Sequence, residues 1–280
     1  MELKVMTYNL KFDDEGSAAS NSWTTRRPIM ASLLKAELPH LLGTQEGLYN
    51  QLKQIHQDLS AQEKRRYAWL GEGREGGSHS EFMAIFYDSE RLVPQEYEHF
   101  WIYEADPLTI GKRWDANSGS PRMVTWVRFR DTATQGEFYA VNTHADDQSE
   151  MSRQASAAMI RARMNNTLKR QPPLPRFDPN LPCIVTGDFN TIARKGEKAY
   201  DILVGDGRLV DTWVTAKKRG QVYATWNDWR APRMVDERLD WILTTPKVQV
   251  GSTSIITYQE KGQWPSDHCP VQATMTLQSS

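Results

Sequence analysis

The sequence is poor in cysteine, with two in 280 residues, Cys183 and Cys269. That is too few for a disulfide framework in a chain of this length, and their spacing offers no Cys-x-x-Cys zinc pair. Both read as buried free thiols in a reducing compartment. An excess of either charge is also missing: 34 Lys+Arg stand against 35 Asp+Glu, a formal net charge of -1. Proteins that grip long nucleic acid without sequence preference carry a basic excess. Near neutrality therefore argues against a tight or processive nucleic-acid binder, although a local basic cleft stays possible. No apolar run reaches membrane-span length. The opening Met-Glu-Leu-Lys-Val-Met shows no basic, apolar and small-residue order of a secretory leader. The expectation is a soluble, cytoplasmic protein with no membrane partner and no obligate protein partner. No internal repeat at a solenoid period is visible.

What is present reads as globular, with 39% hydrophobic and 25% charged residues, and a chain this long can bury a substantial core. Leu3–Leu10 predicts a first strand and Phe12–Thr25 a polar loop. Thr24 or Thr25 is a candidate cap for a helix over 26–37, with Pro28 in its first turn. Leu41–Thr44 predicts a short buried strand, and Leu48, Leu52, Ile55 and Leu59 recur at helical spacing. The pattern then changes to successive strands, Phe82–Tyr87, Val93–Tyr103, Met123–Arg130 and Glu137–His144, which suggests antiparallel sheet. Gln148–Arg170 predicts a long helix. Cys183–Thr186 predicts a strand, followed by two short helical stretches and strands near Leu239–Leu243, Val248–Tyr258 and Val271–Leu277. The Pro-rich segment 171–182 reads as a surface loop rather than an interdomain linker, because the acidic motif after it needs partners from the first half.

Six motifs share one design, an apolar run that carries or ends in acid, amide or imidazole groups. They are Thr7-Tyr8-Asn9, Gly43-Thr44-Gln45-Glu46, Asn142-Thr143-His144, Thr186-Gly187-Asp188-Phe189-Asn190, Arg238-Leu239-Asp240-Trp241-Ile242 and Ser266-Asp267-His268. Taken singly, an Asn or Asp at a strand end is a turn residue, and a lone His is a satisfied core or surface group. Asp240 differs, because it sits inside an apolar strand, where an unpaired carboxylate is costly and needs a partner such as an imidazole. Together the acids and two histidines make a cluster that a metal ion would organise. The set is rich in oxygen and has no thiolate, which suits Mg²⁺ or Mn²⁺ better than structural zinc.

In their order and spacing these motifs resemble the endonuclease/exonuclease/phosphatase superfamily, of deoxyribonuclease I type, from residue 3 to about 275. The resemblance implies an α/β fold, a four-layered α/β/β/α sandwich of two packed, mainly antiparallel sheets flanked by helices, formed by a single domain over 1–280. It implies a metal held by Asn9, Glu46 and Asp267. Asp188 would orient or deprotonate the attacking water, and Asn190 would hold that water or the phosphoryl group. His268, partnered by Asp240, would contact a phosphate oxygen. His144, paired with Glu81, would protonate the leaving oxygen, and Arg122 would contact phosphate. A carboxylate beside an imidazole raises its pKa, and arginine offers a fixed fork to phosphate oxygens.

Two features depart from that pattern. Relatives often read Asn-Thr-His-x-Asp-His, whereas Asp147 stands here in place of the second His. A solvated acid at a helix start is the simpler reading; the sharper one is an acidic rim that disfavours polyanionic substrates. Trp114, in the loop before Arg122, is a candidate substrate-stacking residue, while Trp23, Trp226, Trp229 and Trp264 read first as packing residues. The run Gly71–Ser78 lacks a P-loop's Gly-Lys-Ser/Thr and reads as a flexible connection. Lys64–Arg66 and Lys217–Arg219 read as solvated surface. The function expected is metal-dependent hydrolysis of a phosphodiester or phosphomonoester by an activated water. The substrate would be a short nucleic acid or a small phosphorylated metabolite. The contrasting class is a non-catalytic phosphate- or nucleic-acid-binding protein on the same fold. It predicts loss of metal or base residues, and these are all present.

Overall fold

Leu3 and Val5 alternate with Met6 and Tyr8 along the first strand, and all four are fully buried. A strand apolar on both faces must lie inside a layered structure, and the computed structural model, which describes residues 1–60, 66–103, 106–111, 119–169 and 175–277, shows the layers. The order begins β1 (Glu2–Asn9), α1 (Trp23–Glu37), β2 (Leu41–Gln45), β3 (Gly47–Leu48), α2 (Tyr49–Ser60), β4 (Tyr67–Leu70), β5 (Glu81–Phe82) and β6 (Ile85–Asp88). It continues with β7 (Leu92–Trp101), β8 (Met123–Asp131), β9 (Glu137–His144), α3 (Glu150–Met164), β10 (Cys183–Asp188) and α4 (Lys198–Val204). It closes with β11 (Val210–Asp211), α5 (Thr212–Thr215), β12 (Lys218–Arg219), β13 (Asp240–Thr244), β14 (Val248–Ile255) and β15 (Val271–Leu277).

A seven-stranded sheet has the order β12-β14-β15-β1-β2-β6-β4, and a six-stranded sheet the order β11-β13-β10-β9-β8-β7. Most neighbours are antiparallel. The exceptions include β1 beside β2 and β9 beside β10. Leu3, Val5 and Leu41 of the first sheet meet Val127, Ile184 and Ile242 of the second in a shared core. The first sheet's outer face, with Met6, Tyr8 and Phe86, packs on Leu33, Leu52 and Ile55 of α1 and α2. The second sheet's outer face, with Val124, Val141 and Val185, packs on Ile160 and Leu203 of α3 and α4. The result is the four-layered α/β/β/α sandwich.

Near one end the shared core turns polar. Gln45 Nε2 donates to Asn142 Oδ1 at 2.7 Å, Asn142 Nδ2 donates to the Thr44 and Ala84 carbonyls at 2.7 and 2.9 Å, and Thr186 Oγ1 donates to Val141 O at 3.0 Å. Gly43 lies against this joint, where a Cβ would fall 2.1 Å from Thr186 Oγ1. Residues read as part of the chemical motifs thus form the joint between the sheets just below the motif ends.

Several sequence-based boundaries shift. Helix α1 starts at Trp23, not Arg26, with Ser22 as its cap residue and the Trp23 N–H taken by Asp13 Oδ1 at 3.3 Å. Pro28 therefore falls in the second turn, where the bond it cannot make would have gone to Thr24. Helix α3 stops at Met164, because Asn166 takes a left-handed φ of 58° and its side chain bonds both backbone groups of Phe177. The expected strand Phe82–Tyr87 is two: β5 pairs with β3 in a small ribbon, and β6 joins the first sheet. That break carries Glu81 toward Glu46. The segment 71–78 is tied in by a Gly73–Phe82 bridge and by Arg74 N bonding Glu81 O at 2.8 Å. Cys183 and Cys269 are buried and unpaired. Among the described residues no helix is long and apolar enough to cross a membrane.

Candidate active site

Parallel strands place their C-terminal ends side by side, and two such pairs meet at the end of the sandwich above the polar joint. Asn9 lies opposite Gln45 in the first pair, and His144 opposite Asp188 in the second. Glu46 follows Gln45 in the left-handed region, with φ 63°, an uncommon conformation for a non-glycine residue. The buried Asn9 amide joins the pairs: its Nδ2 donates to Glu46 Oε1 and to Asp188 Oδ2, each at 2.9 Å.

β13 runs beside β10 and sets Asp240 directly opposite Asp188. Two buried carboxylates on neighbouring strands repel, and His268 stands between them. Its Nδ1 is 2.9 Å from Asp240 Oδ2 and its Nε2 3.7 Å from Asp188 Oδ2. Burial opposes the His268 cation, but Asp240 and then Asp188 outweigh it and raise its pKa well above the ordinary value. Burial first, then Asp240, push Asp188 up to about 7, with His268 opposing. Burial also raises Asp267.

His144 behaves oppositely. Burial, followed by the charges of Arg122, Arg74 and His268, holds it well below the ordinary imidazole value. Its Nε2 lies 3.1 Å from the Asn190 amide and 3.6 Å from Asp188 Oδ2. The expected pairing with Glu81 is not made as a hydrogen bond. His144 Nδ1 is 3.9 Å from Glu81 Oε2, while Arg74 Nη2 holds Glu81 Oε1 at 2.7 Å. A permanent guanidinium outcompetes a ring surrounded by positive charge. Glu81 is pushed up to about 7 by burial and then Glu46, with Arg74 opposing.

Among the described residues of the site, two places could hold a cation. Asp188, Asp240 and His268 bring ligand atoms within 4.8 Å of one another; a protonated His268 would have to lose its proton to serve there. Glu46 Oε2 and Asp267 Oδ2 each lie 3.9 Å from Lys11 Nζ, so these carboxylates already face one positive charge from two sides. Asn9 adjoins them through Glu46. The two carboxylates suit a hard divalent ion; Asn9 turns its Nδ2 to Glu46 and its Oδ1 to the Lys11 N–H at 3.0 Å, so its oxygen would join them only once that bond is given up.

Lys11, Arg74 and Arg26 are residues that motif reading missed. Arg26 is fully buried; its Nη1 donates to Leu10 O and Pro265 O at 2.8 and 2.9 Å, and its Nη2 to Lys11 O at 2.9 Å. It ties the loop after β1 to the loop that bears Asp267. The two-residue offset of Lys11 from Asn9 was the only available signal. Arg122 is buried and bonded to Asp147, so Asp147 is not a free solvated acid. Trp114 lies outside the described residues. Trp23 and Trp264 are buried, but Trp226 is 47% exposed. Trp226 bridges His268 in antiparallel register, with Cys269 N bonding Thr225 O and Asn227 N bonding Asp267 O, both at 2.7 Å. Such non-hydrogen-bonded partners put their side chains on one face, so Trp226 stands beside His268 at the rim.

Fold and site together define the class. The chain belongs to the Endonuclease/Exonuclease/phosphatase family, whose model matches residues 6–268. It is similar to an endonuclease/exonuclease/phosphatase family protein from Bacteroides thetaiotaomicron, at 28% identity and TM-score 0.87 over 99% of this chain and 98% of the other. It is also similar to a mannosyl-6-phosphatase of Bacteroides thetaiotaomicron VPI-5482, at 29% identity and TM-score 0.85 over 98% and 100%. D. rerio TDP2 complexed with a single-strand DNA product shares the fold, at 16% identity and TM-score 0.69 over 98% and 99%. No curated protein matches the chain.

Proposed function

We propose that the chain acts as one domain, residues 1–280, and is a divalent-metal-dependent phosphoesterase. The observation that carries this reading is the position of Asp188. Its Oδ2 accepts from Asn9, which also bonds Glu46, and lies 3.6 and 3.7 Å from the rings of His144 and His268. A carboxylate so placed can orient a water and take its proton. Mg²⁺ or Mn²⁺ held by Asn9, Glu46 and Asp267 would neutralise phosphoryl oxygens and favour the charge that develops as the ester breaks. The His268 cation, fixed by Asp240, donates to a phosphoryl oxygen. Asn190, whose Nδ2 lies 3.1 Å from His144 Nε2, holds the water or the phosphoryl group. His144 starts neutral. A phosphate dianion beside it raises its pKa, so it gains the proton for the leaving oxygen only when substrate is present.

Phosphorylated sugars are the first substrate class to try, because the similar Bacteroides enzyme carries that specificity in its name. Trp226 supports this choice, since its exposed face beside His268 suits a ring. The test is hydrolysis, with Mg²⁺ or Mn²⁺, of hexose monophosphates, p-nitrophenyl phosphate, bis-p-nitrophenyl phosphate and short DNA and RNA. An Asp188→Asn/His268→Ala double variant is the blank. Metal-dependent turnover absent from the blank is the expected result. Turnover no higher than the blank on every compound would overturn the reading.

A further inference from the structure

Arg122 immediately precedes β8, and the register of β8 on β9 places it beside the His144 end of the site. Its side chain is 5% exposed. Of its three guanidinium nitrogens, Nη2 alone forms a hydrogen bond among the described residues, to Asp147 Oδ1 at 2.5 Å. Nε and Nη1 are buried without a hydrogen-bond partner, and Asp146 Oδ2 approaches Nε at 3.5 Å. Asp147 is different: its side chain is 51% exposed, and its second oxygen accepts from Gln148 Nε2 at 2.9 Å. The corner that bears it is fixed, because Asp146 Oδ1 accepts from the amides of Gln148 and Ser149 at 2.9 Å. Asp147 is therefore the layer between a buried guanidinium and solvent.

An anion that is to use Arg122 must displace Asp147, and must approach two carboxylates to do so. A hydroxyl meets no such opposition, since it can donate to Asp147 and leave the ion pair closed. We propose that Asp147 is a specificity-determining residue. It closes the Arg122 fork, so that the site favours phosphomonoesters of uncharged polyhydroxy alcohols, such as sugars, over bisphosphates and phosphodiester chains. This rests on the phosphoesterase reading and on His144 marking the leaving-group side.

The experiment compares wild type, Asp147→Asn, Arg122→Ala and the double variant on a hexose monophosphate and a hexose bisphosphate. In Asp147→Asn the ratio of kcat/KM for bisphosphate to that for monophosphate rises about tenfold, the order expected for one charge at a binding site, mainly through KM. In the Arg122→Ala background the rise vanishes, which a general loosening of the fold would not produce. In parallel, inorganic phosphate is titrated calorimetrically into metal-free protein with and without Asp147→Asn. Phosphate binds more tightly once Asp147 is neutralised. An unchanged ratio, or an equal rise without Arg122, would overturn the proposal. If wild type hydrolyses neither ester, the phosphoesterase reading fails, and the phosphate titration alone decides the clamp: no tightening sinks it.

Discussion

The segments β1–α1–β2 and β9–α3–β10 are built alike and gather different groups. Each is a parallel strand pair joined through a helix, and each ends at the same site. The first delivers an amide and a carboxylate, Asn9 and Glu46, next to Lys11 and Asp267. The second delivers an imidazole and a carboxylate, His144 and Asp188, next to Asp240 and His268. The strand device fixes only where the groups emerge. The neighbours decide the rest: in the first half two carboxylates surround one positive charge, and in the second a carboxylate is flanked by two imidazoles.

The largest test of that division replaces one carboxylate in each half. Glu46→Gln and Asp188→Asn should each lower kcat/KM about a thousandfold. Raising Mn²⁺ should recover part of the loss in Glu46→Gln and none in Asp188→Asn. Equal rescue of both would erase the distinction. Gly43→Ala probes the joint between the halves. The added methyl meets Thr186 Oγ1 and Asn142 Oδ1, so urea unfolding should show a loss of about 1–3 kcal/mol, with kcat falling although no reacting group has changed. A third comparison is between the two halves' charge states. Nitrogen-resolved NMR of the metal-free protein should find the His144 ring neutral well below pH 6.5, the direction its burial dictates. The smallest effect lies away from the site. Burial holds His99 below its ordinary 6.5, so below that pH the unfolded chain takes the proton first. Its contribution to stability is present above pH 6.5 and is lost as the pH falls toward the folded value. His99→Gln should flatten this part of the stability profile in urea titrations at pH 7.5 and 5.5.

The groups legible in the sequence are those fixed by strand ends. Asn9, His144, Asp188 and Asp240 each carry or end a run whose apolar pattern is unambiguous, and backbone pairing alone brings Asp188 beside Asp240. The layered fold was readable for the same reason, because strands apolar on both faces require covering layers. Lys11, Arg74 and the Arg122–Asp147 bond were not, since they depend on the paths of loops that local sequence does not set. The division of Phe82–Tyr87 was equally hidden: its apolar run is continuous, and only pairing with two different partners breaks it. The low pKa of His144 was hidden as well: carboxylates do stand near it, but burial and then the charges of Arg122 and Arg74 outweigh them, and only the packed structure shows that balance.

Ser266 Oγ donates to Asn9 O at 2.7 Å across 257 residues of chain, and β15, which follows, pairs with β1. The first strand thus waits for the last. During synthesis more than 257 residues of chain must follow Asn9 before Asp267 can reach Glu46, and contacts this distant in sequence form late and slowly. Assembly of the site is thereby coupled to the far end of the fold: a chain cut short before residue 266 lacks both Asp267 and His268, two of the polar groups that cluster there.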